Sequence, residues 1–233
     1  MKSVNMYIDK AVERYTGQCV YPIAQHLINM MNKLYNNIFF KELLSNQMQL
    51  DQFLKCQEPF FWAVKKWGHA MEDCVYLETN ADICQVYRLN WQDECGNGND
   101  QSHVSTFMQY LKLIGLKSSS ICAKPKSIIK FEQYLDLTVN KPTSDRLHVF
   151  GTIEFIYIYI SHIIHNYVSN QINTQLEIHY SIHSFLDIDH SLNFLNQIKQ
   201  IDWDIIDQTF NIFLELYTEL YKSSLLQYNY LCI

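Results

Sequence analysis

"RLHVFGTIEFIYIYISHIIHNYV", residues 146–168, is the stretch on which the fold turns. Its isoleucines, valines and tyrosines suit a β-strand as well as a helix, but its length far exceeds the about 5–6 residues of an average strand. Apolar on nearly every side and long, it reads as a buried helix. Downstream, "TQLEIHYSIHSFLDIDHSLNFLNQIKQ" (174–200) and "WDIIDQTFNIFLELYTELYKSSLLQY" (203–228) continue at helical spacing. Upstream, residues 21–44, 48–71, 73–96, 101–116 and 128–139 read the same way. In the first of these Ile23, Leu27, Met30, Met31 and Leu34 share one side, and in the second Pro59 is expected to end or bend the helix. "GNGND" (96–100) should stop one helix with Gly96 or Gly98 and start the next with Asn99 or Asp100 as cap.

Only six glycines and four prolines interrupt 233 residues, which favours helices over a many-turned β fold. The pattern predicts an all-α chain of seven or eight helices, read as one domain over residues 1–233 because no linker-like stretch divides it.

The net charge of −6, without a Lys/Arg cluster, argues against nucleic acid as a partner. No continuous apolar run reaches membrane-spanning length, and the N-terminal segment has neither a signal core nor transit-peptide character, so the expected location is the cytoplasm. Seven scattered cysteines without CxxC spacing suit reduced thiols and speak against a zinc-thiolate site. A small molecule is the expected partner, and nothing in the pattern excludes a homodimer.

Two segments carry ligand-type residues. In "HSFLDIDH" (183–190), His183, Asp187 and His190 fall within an arc of roughly 60° along about 10 Å of helix. Two imidazoles and a carboxylate on a buried face are costly unpaired, and a divalent metal would satisfy them; on a solvated face they would be ordinary polar residues. In "RLNWQDECGNGNDQSH" (88–103), Glu94 leaves one helix and His103 enters the next across a glycine-containing turn. That arrangement can aim both into a bundle interior, as in carboxylate-bridged metal pairs, or leave both at the surface.

Taken together, the two segments resemble the haem-oxygenase-like diiron oxidases, whose relatives include a chlamydial death-domain-associating protein. "RLNWQDECGNGNDQSHVSTFMQYLKLIGL" (88–116) resembles that family's glutamate, Gly-rich turn, histidine and Leu-Gly helix end, with Ile114, Gly115 and Leu116 at the last position. "HSFLDIDH" is similar to its late histidine-aspartate-histidine motif. The resemblance implies a haem-oxygenase-like bundle of about seven helices with six metal ligands, five of which map onto Glu94, His103, His183, Asp187 and His190. The sixth, a glutamate on the preceding helix, falls on Glu154, the only acidic residue of that apolar helix, with Glu177 as the alternative. The family's proline a few residues past this glutamate is absent here.

The implied activity is that of an O2-dependent non-haem oxidase or oxygenase holding two Fe(II) ions, with O2 as co-substrate and an external reductant. Its substrate would be a small amino acid or derivative, undergoing N-oxygenation, C–C cleavage or nitrile formation in natural-product biosynthesis. Arg88, one of three arginines, is a candidate for a substrate carboxylate, and Trp91, Tyr157 and Tyr180 are candidates for the substrate pocket. Phe60, Phe61, Trp62, Trp67 and Tyr87 could line it as well or belong to the core. His162 and His165 read as satisfied histidines, His179 as a hydrogen-bonding neighbour of the ligands, and Asp189 as solvent-facing. Three other readings are open: a self-sacrificing enzyme that draws an aromatic product from its own tyrosine, a thiaminase-like hydrolase with Cys95 as nucleophile, and a non-catalytic helical interaction module.

Overall fold

The computed structural model describes residues 2–96, 101–117, 121–172 and 179–229. These form ten α-helices: α1 (Lys2–Val12), α2 (Val20–Asn36), α3 (Ile38–Leu44), α4 (Leu50–Leu77), α5 (Ala81–Cys95), α6 (His103–Leu113), α7 (Lys126–Val139), α8 (Thr143–Ile172), α9 (His179–Asn196) and α10 (Trp203–Asn229). The all-α expectation holds among the described residues; the expected seven or eight helices become ten, because Asn37 divides one pattern in two and α1 forms in a segment not read as a helix.

Asn37 is a helix cap. Residues 21–44 keep helical spacing throughout, yet Asn37 adopts an extended ψ of 137° and its side chain accepts from the Phe39 amide, so α2 stops and α3 begins. Its amide group also donates to the Leu214 carbonyl and the Thr218 hydroxyl of α10, which fixes the break from outside. Likewise, the predicted helix 73–96 is split at residues 78–80, where Asn80 caps α5 by accepting from the Asp82 and Ile83 amides. Ser102 caps α6, and Gly96 closes α5 at φ 74°. Asn99 and Asp100, the expected caps, lie outside the described residues.

Pro59 does not end its helix. α4 runs unbroken past it for 28 residues, although a proline interior to a helix lacks one backbone donor. Tertiary packing holds the helix instead: α4 lies against α5, α6, α7 and α10, and Pro59 itself is buried.

α8 is the axis of the molecule. Its residues 146–161 are buried without interruption, so it has no polar face, as its sequence predicts. An 18-residue window of it has a mean hydropathy of 1.5, enough for a membrane span, but 89% of that window is buried inside the fold. α9 packs most extensively against it, with α10, α3, α2 and α7 around the remainder. Close approach of α8 and α9 depends on Gly151, where a Cβ would lie 2.8 Å from Leu195 Cδ2 and 3.1 Å from Phe194 Cβ. The leucine tip can swing away, but the phenylalanine Cβ is tied to the α9 backbone. Gly151→Ala is therefore expected to destabilise the protein by about 1–3 kcal/mol, read from its denaturation midpoint. An unchanged midpoint would show that α9 can shift freely along α8.

Candidate metal centre

The α8–α9 contact brings carboxylates and imidazoles together. Glu154 comes from α8 and His179, His183, Asp187 and His190 from one face of α9. α5 turns Tyr87, Asn90 and Glu94 inward, and α6 starts with His103. The six predicted ligands Glu94, His103, Glu154, His183, Asp187 and His190 are all buried, with exposures between 0 and 7%. Glu177 lies outside the described residues.

Glu154, Asp187 and His190 offer ligand atoms that all lie within 4.8 Å of one another. Beside them His183 Nδ1 is 2.9 Å from Asp187 Oδ1, the His103 and His183 rings are 4.2 Å apart between centroids, and His103 Nδ1 lies 2.8 Å from Glu94 Oε2. Asp187 Oδ2 and His190 Nδ1 are buried and without a hydrogen-bond partner. Buried polar atoms are normally satisfied, and two orphans within this cluster single it out as the candidate cation site.

The electrostatics agree. Burial, followed by the nearby Asp187 charge, pushes the Glu154 carboxyl well above the usual range. Burial does the same to Asp187, although His190 and His103 oppose it. For Glu94 burial also acts upward, but His103, His183 and His190 outweigh it and lower the carboxyl. His103 is raised because Glu94 overcomes burial. His190 rises to about 9 against the effect of burial, chiefly through its hydrogen bond to Asp93. Two of the three carboxyls, Glu154 and Asp187, thus resist ionisation in this buried setting, where a nearby positive charge would favour their charged forms.

Three supporting residues escaped the sequence reading. Asp93 Oδ2 accepts from His190 Nε2 at 2.9 Å, leaving Nδ1 as the atom turned toward Asp187 Oδ1, 3.9 Å away. A carboxylate behind a histidine in this way fixes which nitrogen is offered to a metal. Asn90 donates to Glu154 Oε1 at 3.2 Å, and Gln57 of α4 accepts from the Tyr180 hydroxyl at 2.6 Å. Asn90 lies one turn before Glu94, and that spacing was the available signal. His179 is a neighbour of the ligands as expected, but it also lines the cavity between the helices. Burial and the adjacent His183 and His103 hold it well below the ordinary histidine range.

That cavity measures about 50 Å³. Its lining combines Glu94, His103, Glu154, His179 and His183 with apolar side chains that include Phe60, Trp67, Phe131 and Phe213. Tyr157 lines it too, its hydroxyl buried without a partner and its ring 5.3 Å from that of His183. Of the other pocket candidates, Tyr180 is fully buried behind Tyr157, at 5.9 Å between ring centroids. Trp91 is packed against the core without lining the cavity. Arg88 is exposed and directs a guanidinium N–H to Cys84 Sγ at 3.7 Å; the fold does not bring it to the site. Phe61 and Trp62 also stay outside the cavity, with Trp62 donating to the Cys122 carbonyl, and Tyr87 packs on Phe150 and Phe194. Asp189 is exposed, as predicted, and pairs with Arg14 at 2.9 Å.

This helical arrangement is the haem-oxygenase-like fold. A domain of unknown function from Shewanella denitrificans, described as having that fold, superposes with a TM-score of 0.70 over 88% of this chain and 91% of its own, at 15% identity. A CADD-like protein of unknown function from Nostoc punctiforme gives 0.66 over 86% and 98% of the two chains at 15% identity. A TenA family transcription regulator from Silicibacter gives 0.65 over 91% and 99% at 9% identity. At these identities the likeness establishes the fold alone. No sequence-family profile matches the chain, and no curated protein sequence does.

Proposed function

We propose that the cluster is a diiron centre and that the protein is an O2-dependent oxidase or oxygenase of a small amino acid or amino-acid derivative. The observation that carries this reading is the set of buried, unpartnered ligand atoms where α5, α6, α8 and α9 meet. Glu94, His103, Glu154, His183, Asp187 and His190 supply only oxygen and imidazole nitrogen, a donor set suited to iron or manganese. When bound, two ferrous ions supply the electrons that activate O2, an external reductant restoring them.

The residues of the chain do the rest. Asn90 holds Glu154 in place, and Asp93 keeps the proton of His190 on Nε2. The aromatic side chains that line the cavity exclude water and offer an apolar surface to a substrate side chain. The cavity is far smaller than the about 300–1,000 Å³ of ordinary ligand sites, so an amino acid enters only as these side chains move aside. Among the described residues no lysine or arginine lines it, which favours a substrate that meets the protein through an apolar group over one that needs a cationic clamp.

A second reading has one observation in its favour: the unpartnered Tyr157 hydroxyl beside His183 is placed for oxidation of the protein's own tyrosine. A hydrolase that uses Cys95 is disfavoured: Cys95 is exposed, lies outside the cavity, and has its thiol raised by burial and by Glu72 and Glu94, which works against the thiolate. The test is anaerobic loading with ferrous iron followed by exposure to O2. About two irons per chain and a transient visible absorption band are expected for the centre. A chain that takes up no iron sinks the proposal; a single oxidation event per chain that consumes Tyr157 would favour the second reading.

A further inference from the structure

His179 belongs to neither ligand motif, yet its ring is 4.6 Å from that of His183 and 6.1 Å from that of His103, between centroids. It is 2% exposed, and its Nε2 is buried without a hydrogen-bond partner. Its other nitrogen is fixed: Nδ1 lies 3.0 Å from the Thr106 hydroxyl on α6. A threonine hydroxyl has one hydrogen, and the His103 carbonyl oxygen, also 3.0 Å away, can only accept it. With the hydrogen on that bond, Thr106 Oγ1 accepts from His179, the ring proton sits on Nδ1, and Nε2 keeps a bare lone pair. A buried imidazole whose far nitrogen is held by a hydrogen bond, with a free lone pair among other ligand-type side chains, is how histidine metal ligands are prepared.

We propose that His179 is a seventh donor of this centre, its Nε2 offering a lone pair to an ion that Glu94, His103 and His183 also hold. The inference rests on the metal-centre reading and extends it: three imidazoles, from α6 and from two successive turns of α9, would face one ion. Thr106 is then a positioning residue, acting only through the tautomer and ring orientation of His179.

Zinc is a suitable probe because it is diamagnetic and can be followed by nitrogen NMR of the full chain labelled at histidine. Before zinc is added, His179 should show the neutral form with its proton on Nδ1. On titration with zinc its Nε2 resonance should move to the metal-bound position together with those of the motif histidines. His179→Gln should weaken the binding of one of the two zinc ions on the order of 10- to 100-fold, and Thr106→Val should act in the same direction and less strongly. Thermal unfolding of both metal-free variants serves as the folding control.

An Nε2 proton on His179 in the metal-free protein overturns the inference. So does an Nε2 resonance that stays put while His183 and His190 respond; in that case the metal-centre reading survives. If no histidine responds and zinc binding is as weak in the parent as in Asp187→Ala, the metal centre itself fails and the seventh donor with it.

Discussion

Replacing Asp187 with asparagine is expected to stabilise the metal-free protein by about 1–3 kcal/mol and to remove its stabilisation by ferrous iron. Asp187 is fully buried, Oδ2 lacks a partner, and burial raises its carboxyl well above the ordinary range. A raised folded-state value means that the folded chain binds a proton the unfolded chain has already released. Stability from this group is complete below the unfolded value of about 3.9 and is lost as pH rises toward the folded one. Asparagine has the same shape and no charge to desolvate, so at neutral pH the metal-free variant should denature at higher denaturant concentration than the parent. With iron the order reverses: an ion at about one hundred times its dissociation constant stabilises the parent by about 2.7 kcal/mol, while the variant gains little. Denaturation curves of both proteins with and without Fe(II), under anaerobic conditions, make the comparison. A variant that iron stabilises as strongly as the parent would remove Asp187 from the site.

The second large effect lies at the base of α8. Arg146 donates to Glu78 Oε2 at 2.7 Å, to the Thr143 hydroxyl at 2.9 Å and to the Val139 carbonyl at 3.3 Å, and its guanidinium lies 5.8 Å from the Tyr87 ring centre. Glu78 in turn accepts from the Thr79 and Asn80 amides and the Thr143 hydroxyl. One carboxylate thus ties the α4–α5 corner to the start of the helix that carries Glu154. Glu78→Gln leaves a buried guanidinium without its counter-charge and is expected to cost about 3–5 kcal/mol. Arg146→Met together with Glu78→Gln should recover part of that loss, since no uncompensated charge remains. Burial acts to raise Glu78, but the Asn80 amide, Thr143 and Arg146 prevail and lower it. Its contribution is therefore complete above the ordinary glutamate value and fades as pH falls through the lower folded one, so the gap between parent and Glu78→Gln should be flat near neutral pH and close in acid. A gap that widens in acid would contradict the assigned pairing.

What the sequence disclosed about the site follows how local each relation is. His183, Asp187 and His190 share one helix, and helical geometry alone puts them on one face. Glu154 stands out as a lone carboxylate in an apolar helix. By contrast, Asp93 and His190 are 97 residues apart and Asn90 and Glu154 are 64 apart, so those pairings exist only once helices dock. Arg88 could have been excluded by arithmetic: six residues before Glu94 is about 600° of turn, roughly 120° off the inward face. The helix count failed for a related reason. Asn37 and Asn80 interrupt apolar patterns that carry on in step beyond them, their capping bonds leaving no trace in periodicity; the first adds a helix, the second moves a boundary, and α1 adds the other. At Pro59 the local rule was sound and the neighbours of α4 overrode it.

The uniform burial of α8 has a consequence for the life of the chain before it folds. A helix with no polar face needs covering on every side, and α9, α10, α3, α2 and α7 supply that cover only in the finished structure. Two of these, α9 and α10, come after it in the chain, so during synthesis α8 emerges before its largest partner exists. Until then residues 146–161 are as welcome to a lipid bilayer, a chaperone or another nascent chain as to their own domain. The segment that organises the finished protein is thus also an aggregation hazard while the chain is being made.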